Sequence, residues 1–238
     1  MSNRQKILFV VLFAVLGFLA LQVPVATLKG SRAAFTLFDL FGPIAGGFLG
    51  GLGGALAVAA TQLGNILYHP ATLPMNIILI RFLTPMMAAW YFSRKNVFNL
   101  VVPVIAIIAF IANPIGIKVW YFAILWLIPI ACYFWQPRRS GRGPDSASSS
   151  GDQPLMARAL GATFAAHAVG GALWIWTWNT TTAYWTGLIP IVIKERLIFA
   201  AGIALSYLLM NNILALVARK IPRVAFLVNS RYSLLPLM

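Results

Sequence analysis

Apolar residues in this chain are gathered into long, nearly uninterrupted runs. The runs cover residues 7–28, 73–92, 97–112, 116–136, 157–178 and 188–218. A transmembrane helix needs about 20 predominantly apolar residues, and most of the runs have that length. Because 61% of the residues are hydrophobic and only 9% are charged, we predict an all-α, polytopic helical membrane protein. Six to eight transmembrane segments would form a single membrane domain over residues 1–238.

The segment Ala34–Tyr68 differs from the other runs because it holds eight of the nineteen glycines. Gly42, Gly46, Gly50 and Gly54 recur every four residues. On a helix this spacing makes a stripe of small residues that lets another backbone approach closely. The segment is therefore predicted to be a packing surface inside the protein.

Two topologies fit this glycine-rich segment. In the first, it forms a short helix pair that breaks near Gly50, the amino terminus is cytoplasmic, and Lys29 and Arg32 lie outside. In the second, residues 42–67 form one long tilted helix and the amino terminus lies outside. The positive-inside rule does not separate them, because each leaves two basic residues on the wrong side. We favour the helix pair.

The net charge of +14 is better explained by the orientation of the loops in the membrane than by binding to nucleic acid. Lys and Arg are enriched in cytoplasmic loops of membrane proteins, so we predict a multi-pass protein of the cell membrane with a cytoplasmic carboxyl terminus and no nucleic-acid partner. Residues 137–155 are rich in Ser, Gly, Pro and Arg and lack a hydrophobic period. They are predicted to be a flexible cytoplasmic linker.

Motifs of soluble enzymes are absent from the sequence. It contains no phosphate-binding loop, no H-E-x-x-H and no G-x-S-x-G. Its one cysteine, Cys132, has no ligand-spaced partner, so neither a disulfide framework nor a cysteine metal site is expected. We therefore predict no metal and no cofactor.

Two stretches carry a resemblance to a known family. A long first helix and a polar connection precede the stretch FDLFGPIAGGFLGGLGGALAVAATQLGN. Nearer the carboxyl end, a histidine is followed by aromatic residues in the stretch GATFAAHAVGGALWIWTW. This layout resembles the substrate-binding S-components of energy-coupling factor transporters. The resemblance covers roughly residues 7–95 and 156–223, and residues 97–136 look like a two-helix insertion. The family's Ala-x-x-x-Ala surface is replaced by Ala14 and Phe18.

The resemblance implies a membrane transport function. The chain would be a subunit that captures a small water-soluble, vitamin-like molecule in an outward-facing pocket, with the first connection, near Lys29 to Phe35, closing over it. A transmembrane coupling subunit and ATPases would supply the energy. The alternative function is an integral membrane enzyme acting on a lipid-linked substrate, with His167, Glu195 and Arg81 as its candidate groups.

Ionisable groups are costly inside a membrane and usually face protein or a water-filled cavity. Asp39 and Glu195 are the only carboxylates near the apolar runs, since the other two acidic residues lie in the linker. A pocket of mixed charge lined by aromatic rings would suit a small polar ligand. The candidate substrate-binding residues are Arg32, Asp39, Asn65, Arg81, His167, Trp174, Trp178, Asn179, Glu195 and Arg196.

Several of these candidates have an ordinary structural explanation as well. Trp174 and Trp178 fit an interfacial aromatic belt, and Glu195 fits a local ion pair with a neighbouring basic residue. Arg81 fits a buried pair with a carboxylate, a ligand contact or a snorkelling side chain. His167 fits a hydrogen-bonded contact between helices.

Overall fold

The computed structural model of the chain describes residues 3–27, 34–69, 74–93, 96–135 and 154–234. Its α-helices are α1 (Asn3–Leu21), α2 (Leu37–Phe41), α3 (Ile44–Tyr68), α4 (Met75–Ser93), α5 (Phe98–Ile111), α6 (Leu127–Phe134), α7 (Leu155–Thr177) and α8 (Thr182–Lys220). The 3-10 helices are η1 (Gly116–Trp126), η2 (Pro222–Leu227) and η3 (Ser230–Tyr232). Five described helical segments are long and apolar enough to cross a membrane. The all-α membrane class is thus confirmed.

A short β-hairpin, which the sequence analysis did not anticipate, joins α1 to α2. Its strands are β1 (Pro24–Thr27) and β2 (Ala34–Thr36), and they pair antiparallel. The Leu37 amide donates to the Val23 carbonyl at 2.8 Å, which ties the start of α2 to the end of α1. The hairpin therefore holds the first connection close to the helices.

The glycine-rich segment reverses direction at Gly50. This residue has φ 77° and ψ 173° inside α3, a backbone conformation open essentially to glycine alone. A Cβ built on Gly54 would lie 2.5 Å from the Cα of Gly46, although eight residues of continuous helix extend about 12 Å. The two arms of α3 therefore pack against each other. The predicted short helix pair is confirmed, and one continuous helix over residues 42–67 is not formed.

Helix α7 is the central element, in contact with α4, α5, α6 and α8. Small residues allow these contacts. Gly161 lies against the ring of Tyr91 on α4, and the Tyr91 hydroxyl donates to the Pro129 carbonyl on α6 at 2.5 Å. Helix α7 therefore packs closely against α4, and the hydrogen bond joins its neighbours α4 and α6; both kinds of contact stabilise helix association in lipid.

Residues 97–136 fold into two helical segments, α5 and then η1 with α6. They pack on α7 and α8 through a buried aromatic cluster. Its large rings belong to Phe110, Phe122, Trp126, Phe164 and Trp185. The segment is thus an integral part of the bundle. Of the predicted linker 137–155, residues 137–153 lie outside the described residues, and Leu155 already begins α7.

Two adjacent asparagines of α8 hold the chain after Lys220 against the bundle. Asn211 donates to the Asn229 carbonyl at 3.1 Å and accepts from the Asn229 amide at 2.8 Å. Asn212 donates to the Tyr232 carbonyl at 3.1 Å and accepts from the Leu234 amide at 2.7 Å. Each side-chain amide thus pairs like a peptide group, and Leu227, two residues before Asn229, is buried in the core.

We expect the double variant Asn211→Leu, Asn212→Leu to release this segment. Four hydrogen bonds at about 1 kcal/mol each are lost, although the bundle itself is retained. A cysteine placed at Leu227, with Cys132 replaced by alanine, should then react with a maleimide at least about tenfold faster. The exposed Asn179→Leu change is the control, and equal labelling rates in the double variant and the control would contradict the clamp.

Candidate functional site

Arg196 is the most deeply buried charged residue among the candidates that the structure describes. Its side chain is 7% exposed, and its Nη2 lies 3.6 Å from Glu195 Oε2. Nη1 donates to Thr163 Oγ1 on α7 at 3.3 Å. The Nε of Arg196 has no hydrogen-bond acceptor among the described residues. Because an unsatisfied buried donor is costly, an oxygen atom of a ligand would be stabilised at this position.

The carboxylate of Asp39 lies on the α2 side of Arg196. It accepts from the Thr36 amide at 2.7 Å, and so satisfies a donor at the start of α2. The charges of Arg196 and Arg81 both act on this carboxylate. Asp39 therefore has a helix-capping role and also contributes negative charge beside Arg196. We call Asp39, Thr163, Glu195 and Arg196 the Arg196 site.

Two aromatic rings lie over the guanidinium group of Arg196. Its Cζ is 4.5 Å from the ring centroid of Phe199 and 5.2 Å from that of Phe35. The two rings meet edge to face, with centroids 4.8 Å apart. Phe35 belongs to β2, so the hairpin after α1 reaches the Arg196 site and contributes to its cation–π environment.

His167 lies one helical turn from Thr163 on α7. Its Nδ1 accepts from the Trp126 indole N–H at 3.0 Å, and the charge of Arg196 acts on its imidazole. The prediction that His167 bonds between helices is confirmed, since Trp126 ends η1. The histidine also borders the Arg196 site.

Arg81 is exposed on α4, and no ion pair of this residue occurs among the described residues. Of the three explanations left open for Arg81, the exposed position of its side chain contradicts the buried pair with Asp39 or Glu195, and the ligand contact and the snorkelling side chain stay predictions. Glu195 does form the predicted local pair, with Arg196.

The remaining candidates do not join the Arg196 site through any described contact. Trp174 and Trp178 stack on each other with centroids 3.9 Å apart, and Asn179 beside them is exposed. Asn65 is partly buried near the end of α3, where its carbonyl accepts from the His69 amide at 2.9 Å. The convergence of these four residues with Arg196 therefore stays a prediction. Arg32 lies outside the described residues.

Four residues of this region were missed by the sequence analysis. Thr163 and Phe199 were accessible to it, because they lie four and three residues from His167 and Arg196 on the same helix faces. Phe35 and Trp126 gave no such signal, since their positions depend on the hairpin and on the packing of η1 against α7. Tertiary structure alone brings them to the site.

The chemistry available to the Arg196 site is binding of a polar group. Its donors are a guanidinium and a hydroxyl group, its acceptors are two carboxylates, and the imidazole of His167 lies at its border. Within the described ranges, no three residues of the types His, Cys, Asp and Glu come close enough together to hold a metal ion. No known protein family, characterised protein or solved structure matches the chain.

Proposed function

We propose that this chain is a membrane transport subunit that captures a small water-soluble, vitamin-like molecule at the Arg196 site. The observation that carries the proposal is the buried Nε of Arg196, which lacks an acceptor among the described residues. Carboxylates beside it and aromatic rings over it would replace the water contacts that a polar ligand loses on binding.

The hairpin between α1 and α2 is proposed as the cover of this site. Phe35 lies on β2 and contacts both Phe199 and Arg196. A displacement of β2 would remove the ring of Phe35 from the guanidinium of Arg196. This arrangement supports a binding site that opens toward the end of the bundle where α1 meets α2.

We further propose a multi-pass arrangement in the cell membrane with both termini in the cytoplasm. The reversal at Gly50 adds one short pass, so that α1 and α8 run in opposite directions with an even number of passes. Basic residues near Arg4, Arg94, Arg138 and Arg219 then all lie on the cytoplasmic side.

Energy for transport would come from partner subunits. The sequence has no ATP-binding signature, and its layout resembles the S-components of energy-coupling factor transporters. A transmembrane coupling subunit with ATPases is the partner set that this resemblance implies.

The test is ligand retention by purified protein against a radiolabelled panel of vitamins. We expect wild type to retain at least one compound and Arg196→Met to bind it about 30-fold or more weakly, because a buried charged hydrogen bond contributes about 2 kcal/mol or more. Lys194→Met is the matched control, since Lys194 is exposed on the same helix. Equal loss in both variants, or no retention by wild type, would refute the proposal.

A further inference from the structure

The hydrogen bond between Trp126 and His167 connects the segment 97–136 to the Arg196 site. Trp126 is completely buried, and its indole N–H donates to His167 Nδ1 at 3.0 Å. The indole is held edge to face by Phe110 and Phe122, with centroids 4.9 and 5.9 Å away. The donor is therefore rigidly placed.

Helix α7 leaves room for this indole at Gly171. A Cβ built on Gly171 would lie 2.6 Å from the Trp126 ring. Gly171 and His167 are four residues apart and share one helix face. The same face of α7 thus provides both the space for the indole and the acceptor for its N–H.

This contact determines which imidazole nitrogen carries the proton. An Nδ1 that accepts a hydrogen bond is unprotonated, so neutral His167 carries its proton on Nε2. No hydrogen-bond partner of Nε2 occurs among the described residues. His167 is partly buried, and a donor without a partner there would be satisfied by an acceptor atom of a ligand.

His167 and Arg196 form a pair of neighbouring donors. The charge of Arg196 acts on the imidazole, and Thr163, one turn from His167, bonds to Arg196. The carboxylates of Asp39 and Glu195 lie beside Arg196, so among anionic ligands one with a single charge is repelled least. The rings of Phe35 and Phe199 supply an apolar surface beside the guanidinium.

We propose that Trp126 is a positioning residue that holds His167 as an Nε2–H donor, and that His167 and Arg196 together bind the carboxylate of a ring-containing ligand. This inference rests on the proposed function for its ligand. Its first half concerns the apo protein and is tested without any ligand.

The first experiment reads the tautomer of His167 by NMR of protein labelled with ¹⁵N-histidine. The chain has two histidines, so a His69→Gln background leaves one imidazole. We expect one unprotonated Nδ1 and one protonated Nε2 in wild type, and a mixture of tautomers in Trp126→Phe. Gly171→Ala, which displaces the indole, should reproduce that mixture.

Trp185→Phe is the matched control for this measurement. Trp185 is also buried in the aromatic cluster, but its indole N–H donates to Thr180 Oγ1 at 2.9 Å. Its replacement should leave the His167 signals unchanged. A wild-type imidazole protonated on Nδ1, or a folded Trp126→Phe protein with unchanged signals, would overturn the positioning role.

The second experiment uses benzoate and its neutral counterpart benzamide as probes. We expect benzoate, and not benzamide, to shift the His167 Nε2 signal, and Trp126→Phe to bind benzoate about fivefold more weakly, as for one weakened hydrogen bond. An equal response to both probes would overturn the carboxylate assignment. So would no response to either probe in a protein that still retains a vitamin, and that result would leave the proposed function intact.

Discussion

Replacing Gly46 with alanine is expected to lower the free energy of unfolding by about 3 kcal/mol, the upper end of the usual cost of overpacking. A Cβ at this position would overlap the carbonyl oxygen of Ala89 on α4. The obstacle is backbone, which no change of rotamer removes. The first arm of α3 would therefore have to move away from α4. Denaturant titration in detergent, with gel filtration for monodispersity, measures the loss.

Gly64→Ala is the control, because the nearest atom to its added Cβ is 3.9 Å away. It should be neutral, or stabilising by up to about 1 kcal/mol from helix propensity. Gly50→Ala tests the cost of the backbone conformation without steric overlap. Nothing lies within 4 Å of the added Cβ, but φ at this residue is 77°. We expect it to cost about 1–3 kcal/mol. Wild-type stability in Gly46→Ala would show that α3 does not pack on α4 as described.

Replacing Arg158 with methionine is expected to destabilise the protein by about 3 kcal/mol. Arg158 is buried at the start of α7, where its guanidinium donates to the Phe92 and Ser93 carbonyls at the end of α4. Its Cζ also lies 4.5 Å from the ring centroid of Phe92. The last carbonyls of a helix lack intrahelical donors, and leaving two of them unsatisfied costs roughly 1–3 kcal/mol each.

Two further variants make this prediction specific. Arg158→Lys keeps the positive charge but lacks the planar guanidinium group with its several donors, so its loss of stability should lie between those of the wild type and Arg158→Met. Arg219→Met removes an exposed cation from the last turn of α8 and should change stability by less than about 0.5 kcal/mol. Equal effects of the methionine changes at Arg158 and Arg219 would show that the buried bonds contribute nothing measurable.

The helices were predictable because each depends on local properties of the chain. The apolar runs match the observed helices closely at α4 and α7, and the break near Gly50 belongs to the topology that we favoured of the two that the sequence left open. The hairpin over residues 24–36 was not predicted, since strands this short have little sequence signal. Helix α8 also begins earlier than its apolar run, because Thr181 caps it by accepting from the Tyr184 amide.

The candidate site was predicted only in part. Glu195 and Arg196 were identified because charges are rare in apolar runs, and their pairing follows from adjacency. Arg81 was identified by the same rule, but its exposure depends on the face that α4 presents to its neighbours. Trp174 and Trp178, at the end of α7, were predicted to line the site because aromatic rings suit a polar ligand. In the structure the two rings stack on each other.

The sequence by itself determined the membrane class and the approximate positions of most helices, and it limited the glycine-rich segment to two topologies. These features follow from the lengths of the apolar runs and from the backbone conformations that glycine can adopt. Both properties are local along the chain. Only the tertiary structure decided that Arg196, and not Arg81, is buried, that Phe35 covers it, and that Trp126 bonds to His167. Those contacts join residues from distant parts of the chain, and the close packing of α2, α7, α8 and the 97–136 segment selects them.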